Sequence, residues 1–160
     1  GFFQVNLPVY EMALKEIARF VGDEEVLDLY AGVGTIGLSV ARGKVKLVEV
    51  DKNAYGELVE NTAEFAWAEA VLARAEEVTE FVRENQTVVL DPPRAGCDKK
   101  LVARLNEVRP KQIIYLSCNP ATQVRDVERL SENYEIAEVR PYNFFPRTVH
   151  IENLVILKRR

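Results

Sequence analysis

Short apolar runs alternate with longer amphipathic stretches along the whole chain, and that alternation leaves few folds open. EVLDLY (25–30), KVKLVEV (44–50), AVLARA (70–75), QTVVL (86–90) and KQIIYL (111–116) each have strand length. Between them lie stretches with helical spacing: a glycine turn running into a helix to about 42, then 52–66, 76–84 and 98–107. A further helix is expected over 8–21, opened by Pro8, and another over 120–130, opened by Pro120. YEIAEVRPY (134–142) and ENLVILK (152–158) follow as two strands with no helix between them. The fold class expected is α/β: a doubly wound, mostly parallel seven-stranded sheet, helices on both faces, closed by an antiparallel C-terminal hairpin. Ligands of such sheets bind beyond the carboxyl ends of the strands, so the chemistry is sought there.

Composition sets the outer limits. The 160 residues are the size of one domain, and 48% are apolar, enough for a real core. No repeat, low-complexity tract or linker interrupts them. No apolar run is long enough to span a membrane, and no basic-then-apolar leader marks secretion. The start at Gly1 fits a catalytic domain, residues 1–160, cut from a longer protein. A net charge of −4 does not describe a general nucleic-acid sponge. Two cysteines, Cys97 and Cys118, allow a disulfide by count, but reduced thiols in a cytoplasmic protein suit the rest of the composition better. The single histidine, His150, rules out a metal site built on three histidines. A monomer without a metal is expected.

Four strand ends carry groups of interest. After the first, Gly32, Gly34 and Gly37 form G-x-G-x-x-G, which suits a dinucleotide, S-adenosylmethionine or merely a tight turn. At the second, Glu49 and Asp51 are either ribose-binding acids or solvated charges. At the fourth, DPPRAG (91–96) is a stiffened loop able to hold Asp91 and a carbonyl against a flat base; the plainer reading is a rigid turn with a capping acid. At the fifth, Cys118 stands just before a helix whose positive end favours a thiolate, although most free cysteines are simply small buried residues. NFFPRTVHIE (143–152) adds Arg147, His150 and Glu152, the last two sharing a face if the segment is extended.

Taken together, FFQVN (2–6), DLYAGVGTIGL (28–38), DPPRAG, SCNP (117–120) and FPRTVHIE (145–152) resemble the signatures of the RNA uracil-C5 methyltransferases. That family makes 5-methyluridine in transfer RNA and large-subunit ribosomal RNA. The resemblance covers essentially the whole chain, as the family's catalytic domain with its Rossmann-like class I methyltransferase fold. It implies S-adenosylmethionine as cofactor, with Gln4, Tyr30, Thr35, Glu49 and Asp91 in contact alongside the glycines Gly32 and Gly34. It implies Cys118 as nucleophile, Glu152 as general base and a structured RNA as partner. The sequence departs from the family after the third strand, where Arg74 or Ala75 stands in place of an acid; the adenine contact then passes to the backbone or to Glu76. The family's N-terminal RNA-binding domains, some with an iron–sulfur cluster, are not in these residues.

These residue types suit the reaction. Carbon 5 of uracil becomes nucleophilic once a thiolate has added to carbon 6, and the adduct then needs a base to remove the carbon 5 proton. Arg94 or Arg147 is suited to steadying charge on the uracil oxygen or to gripping a phosphate. Phe144 and Phe145 are candidates for stacking on a flipped-out uridine, or for the core. Cys97 reads as structural, because the position used for a second cysteine in cytosine-C5 enzymes is Arg94 here. Three rivals remain. A base N-methyltransferase of the same fold would favour an aromatic residue in place of Arg94. A non-catalytic RNA-binding module would have no use for Cys118 and Glu152. A nicotinamide dehydrogenase would leave Asp91 and Cys118 without a role.

Overall fold

A computed structural model describes residues 6–144 and 151–160. Seven strands form one sheet in the order β3-β2-β1-β4-β5-β7-β6. The strands are β1 (Glu25–Asp28), β2 (Val45–Glu49), β3 (Ala68–Leu72), β4 (Gln86–Leu90), β5 (Gln112–Ser117), β6 (Tyr134–Tyr142) and β7 (Glu152–Arg159). Strands β1 to β5 pair in parallel, whereas β7 runs antiparallel to both β5 and β6. The fold is the doubly wound sheet with a closing antiparallel pair that the sequence predicts. The last strand slots between β5 and the edge strand β6, and this puts its first residue next to the end of β5.

The helices are α1 (Leu7–Phe20), α2 (Thr35–Val40), α3 (Lys52–Thr62), α4 (Lys99–Val108) and α5 (Pro120–Leu130). Their starts are written in the sequence. Asn6, Asp51, Asp98 and Asn119 each accept a backbone N–H of the first turn through the side chain, and α1 and α5 carry proline at the start. Every residue of β4 and β5 is buried, as strands covered on both faces require. Alternate residues serve opposite layers. Leu27, Val88, Leu90, Ile113 and Tyr115 pack with Leu101 and Leu105 of α4. Val26, Val89, Ile114 and Leu116 pack with Ile17 of α1, Ile36 of α2 and Leu58 of α3. Burying each such aliphatic side chain contributes roughly 2 kcal/mol, so this double layer is the main stabilising term.

Three boundaries differ from the sequence reading. The first strand stops at Asp28, which leaves Tyr30 in the turn. The third strand comes earlier than expected, because β2 pairs along its whole length with Ala68–Leu72 and α3 ends at Thr62 to allow it. The short helix expected over 76–84 is a pair of 3-10 turns, Ala75–Glu77 and Thr79–Phe81.

Candidate active site

The strand order reverses at β1, which is flanked by β2 on one side and β4 on the other, and the glycine turn follows β1 directly. Gly32 and Gly34 adopt φ of 57° and 95°, a region that side chains with a Cβ disfavour. A Cβ on Gly32 would meet nothing within 4 Å, so the space above the turn is open to a ligand. Gly34 caps α2, and Thr35 is that helix's exposed first residue. Beneath the turn, Asp28 Oδ2 accepts the Gly37 N–H at 3.1 Å. Asp28 Oδ1 is buried and has no hydrogen-bond partner among the described residues. Burial lifts this carboxyl to about 7. An orphaned acceptor below an open glycine turn fits a cationic or hydrogen-bond-donating ligand.

At the end of β2 the two acids separate. Asp51 caps α3 by accepting the Ala54 N–H at 2.8 Å. Glu49 is partly buried, and burial raises its pKa against the opposing pull of backbone N–H groups at Gly32 and Asp51. Glu49 and Tyr30 line a cavity of about 540 Å³, with Val50, Ala75, Glu76 and Pro93 also in its wall. The cavity is large enough for a nucleoside-sized ligand. The segment after β3 offers it the Arg74–Glu76 backbone and a single carboxylate, Glu76, which lies 3.9 Å from the Arg74 guanidinium.

The DPPRAG loop is bolted to α5. The Arg94 carbonyl accepts from Asn119 Nδ2 and from Thr122 Oγ1, both at 2.9 Å. Arg125 donates to the Ala95 carbonyl at 2.8 Å. Asp126 is fully buried; its Oδ2 accepts from the Cys97 N–H at 2.9 Å and from the Tyr115 hydroxyl at 2.7 Å. Gly96 turns the loop at φ 81°, where a Cβ would come within 2.5 Å of Arg125 Nη2. Cys97 lies buried against this knot, and burial pushes its thiol up to about 12. A thiol so shielded is inert, which fits a structural role.

Cys118 is partly exposed and immediately precedes Asn119, the cap of α5. The last paired rung of β5 and β7 is Ser117 with Asn153. Continuing that register one step sets Cys118 across from Glu152. Burial, then Glu152, raise the pKa of the Cys118 thiol; Arg94 pulls it down and Asp91 adds to the rise. The helix start alone led to the expectation of a favoured thiolate; in the free protein the carboxylates and burial outweigh the cation. Burial also raises Glu152. Asp91, at the end of β4, is pushed to about 8 by burial and by the carboxylates of Glu152 and Asp28. Acids brought this close hold protons that isolated carboxylates would lose.

Several expectations change or fall outside the described residues. Phe144 is core: it is buried, with Tyr10 edge-on at 5.2 Å and Tyr142 stacked at 5.8 Å. Gln4, Phe145, Arg147 and His150 lie outside the described residues. Sequence reasoning missed Asp28 and Tyr10. Burial, Asp91, Asp28 and Glu152 together push the Tyr10 hydroxyl to about 12, so α1 contributes a phenol close to the acidic cluster. An acid inside the apolar run EVLDLY was the available signal for Asp28; nothing in the spacing of α1 singles out Tyr10. No group of three or more His, Cys, Asp or Glu among the described residues is arranged to hold a metal, and none of the described helices is long and apolar enough to cross a membrane.

Comparison with known proteins places this geometry. The profile of the tRNA (Uracil-5-)-methyltransferase family matches residues 2–160. The tRNA (uracil(54)-C(5))-methyltransferase of Pyrococcus furiosus is 40% identical over 160 residues, covering 99% of this chain and 39% of that protein. An uncharacterized RNA methyltransferase of Bacillus cereus is 38% identical over 172 residues, covering 100% of this chain and 37% of that protein. The chain thus spans somewhat over a third of the length of the curated relatives it matches. The crystal structure of Pyrococcus abyssi tRNA (uracil-54, C5)-methyltransferase in complex with S-adenosyl-L-homocysteine superposes with a TM-score of 0.87 at 38% identity, covering 98% of this chain and 40% of that one. A tRNA m1G37 methyltransferase from M. jannaschii, 18% identical with a TM-score of 0.68 over 96% of this chain and 50% of its own, shares the fold alone. The chain belongs to the tRNA (uracil-5-)-methyltransferase family.

Proposed function

We infer that this domain transfers a methyl group from S-adenosylmethionine to carbon 5 of a uridine in structured RNA, either transfer RNA or large-subunit ribosomal RNA. One observation carries the reading: the register of β5 and β7 sets a partly exposed thiol, Cys118, across from a carboxyl, Glu152, with Asp91 near both.

The residues present fit the cofactor. The open space over Gly32, the unpartnered Asp28 Oδ1 and the Glu49-lined cavity provide a cradle, a buried acceptor and an acid for ribose hydroxyls. Tyr30, Glu49 and Asp91 would hold it, with Gly32, Gly34 and Thr35 shaping the turn; the family resemblance adds Gln4, which lies outside the described residues. When bound, its sulfonium supplies an electrophilic methyl group.

The chain's own groups do the rest. Cys118 adds through sulfur to carbon 6 of the uracil, which makes carbon 5 nucleophilic. Arg94 is the charge that favours the thiolate form. The tied loop between Asp91 and Cys97 keeps the ring and the thiol in a fixed relation, and orientation of this kind lowers a barrier by several kcal/mol. Glu152 removes the proton from carbon 5, the double bond returns and Cys118 leaves. A raised pKa suits Glu152 to accept that proton near neutral pH.

The test is direct. The full-length protein is incubated with labelled cofactor and transcribed RNA, and the product is digested and analysed by mass. The expected product is 5-methyluridine; a methyl group found on a ring nitrogen or on cytosine would overturn the reading.

A further inference from the structure

Gln123 is a polar side chain on the sheet-facing side of α5, and it is fully buried. Its amide is wholly committed to the two strands that carry the proposed nucleophile and base. Nε2 donates to the Tyr115 carbonyl on β5 at 3.0 Å and to the Asn153 carbonyl on β7 at 2.9 Å. Oε1 accepts from Asn153 Nδ2 at 2.8 Å. Both donors and the acceptor are therefore satisfied, as a buried amide requires. Asn153 is the neighbour of Glu152, and it pairs with Ser117, the neighbour of Cys118. The paired register of β5 and β7 ends at that rung, so on the β5 side this clasp is the last fixed point before the reactive groups; on its other side Glu152 pairs with Tyr142 of β6. Asp126, one turn further along α5, and its neighbour Arg125 have the separate task of holding the Asp91–Cys97 loop.

We propose that Gln123, with Asn153 as its partner, is a positioning residue for the proton-removal half of the reaction, fixing where the Glu152 carboxylate stands against a pyrimidine held on Cys118. This rests on the reading of Cys118 as nucleophile and Glu152 as base. In the step concerned, the carbon 5–hydrogen bond breaks and its proton passes to a Glu152 carboxylate oxygen. The electron pair left behind forms the carbon 5–carbon 6 double bond. The carbon 6–sulfur bond breaks, and its pair leaves with Cys118 as thiolate. Addition needs Cys118 placed; only elimination needs Glu152 placed. Loss of the clasp therefore slows the second half selectively.

The experiment uses the full-length protein with labelled cofactor and, as probe, in vitro-transcribed transfer RNA and large-subunit ribosomal RNA, each made with uridine or with 5-fluorouridine. Fluorine at carbon 5 leaves no proton to remove, so the reaction stops at the methylated adduct and reports the first half alone. For Gln123→Leu, turnover on uridine RNA falls about ten-fold, because small displacements of a reacting group have effects of this size. A covalent protein–RNA band accumulates, while adduct formation on 5-fluorouridine RNA and S-adenosylhomocysteine affinity stay within about two-fold of the native protein. Unchanged turnover would overturn the proposal, as would an equal fall in turnover and adduct formation. Asn153→Ala keeps the main-chain bonds and removes only the side-chain partner. It serves if circular dichroism shows Gln123→Leu unfolded; it gives the same pattern at about three-fold, and no effect there overturns the proposal. A native protein that forms no adduct with either 5-fluorouridine RNA overturns the underlying reading of Cys118, and that failure appears before any substitution is made.

Discussion

Asn119 donates its side-chain amide to the carbonyl oxygen of Arg94 at 2.9 Å, so the turn that carries Cys118 and the loop that follows Asp91 are one piece. The same side chain accepts the Ala121 N–H at 3.2 Å and caps α5. Asn119→Ala removes both contacts. It is expected to cost about 1–2 kcal/mol of stability by chemical denaturation. Turnover is expected to fall more than cofactor affinity does, because Cys118 directly adjoins Asn119, whereas the loop is only one wall of the cavity that Glu49 and Tyr30 also line. A variant that matches the native protein in both measurements would show that the tie is incidental.

The two thiols are expected to separate cleanly. Cys118→Ala abolishes methyl transfer. Cys97→Ser leaves most of it, with some loss of stability because the thiol is buried near Tyr30 and Tyr115. Equal losses in a methyl-incorporation assay would mean that the nucleophile has been wrongly assigned.

Glu152→Gln keeps the side-chain volume and removes the proposed base. A methylated protein–RNA adduct should then build up and run as a slow band on a denaturing gel. Free methylated RNA appearing at the native rate, with no band, would remove Glu152 from the mechanism.

The acidic cluster makes stability depend on pH in a definite direction. Asp28 and Asp91 titrate at about 7 and about 8 in the folded protein, above the ordinary 3.8. The folded state therefore binds more protons than the unfolded chain over that interval. Their contribution to stability is fully present below the ordinary carboxyl range and is lost as pH rises, until both groups are ionised above about 8. The melting temperature of the ligand-free protein should drop by several degrees between about pH 6 and pH 9. Asp91→Asn should flatten that slope; an unchanged slope would show that Asp91 is an ordinary solvated acid.

Much of this was legible in the residues. β4 and α5 have the bounds that QTVVL and PATQVRDVERL predict, because a continuous apolar run and a proline start are local signals. The placement of Glu49 was equally readable. Asp51, in contrast, caps α3, a role that the helix expected from residue 52 already allowed. β3 was misplaced because its limits are set by its neighbour β2, not by its own weak pattern. Phe144 is core because Tyr10, from the distant helix α1, meets it beside its near neighbour Tyr142. Gln123 and Asn153 look like ordinary polar residues in one dimension, and their pairing needs β7 to lie beside β5.

The insertion of β7 between β5 and β6 also bears on how the protein is made. During synthesis the thiol strand leaves the ribosome well before the strand bearing the carboxyl, and the parallel part of the sheet can assemble in the interval. A nascent chain at that stage would own a sulfur but no means of finishing what it began. On the proposed reading, only the arrival of the closing strand turns a cysteine at the rim of the sheet into part of a working pair.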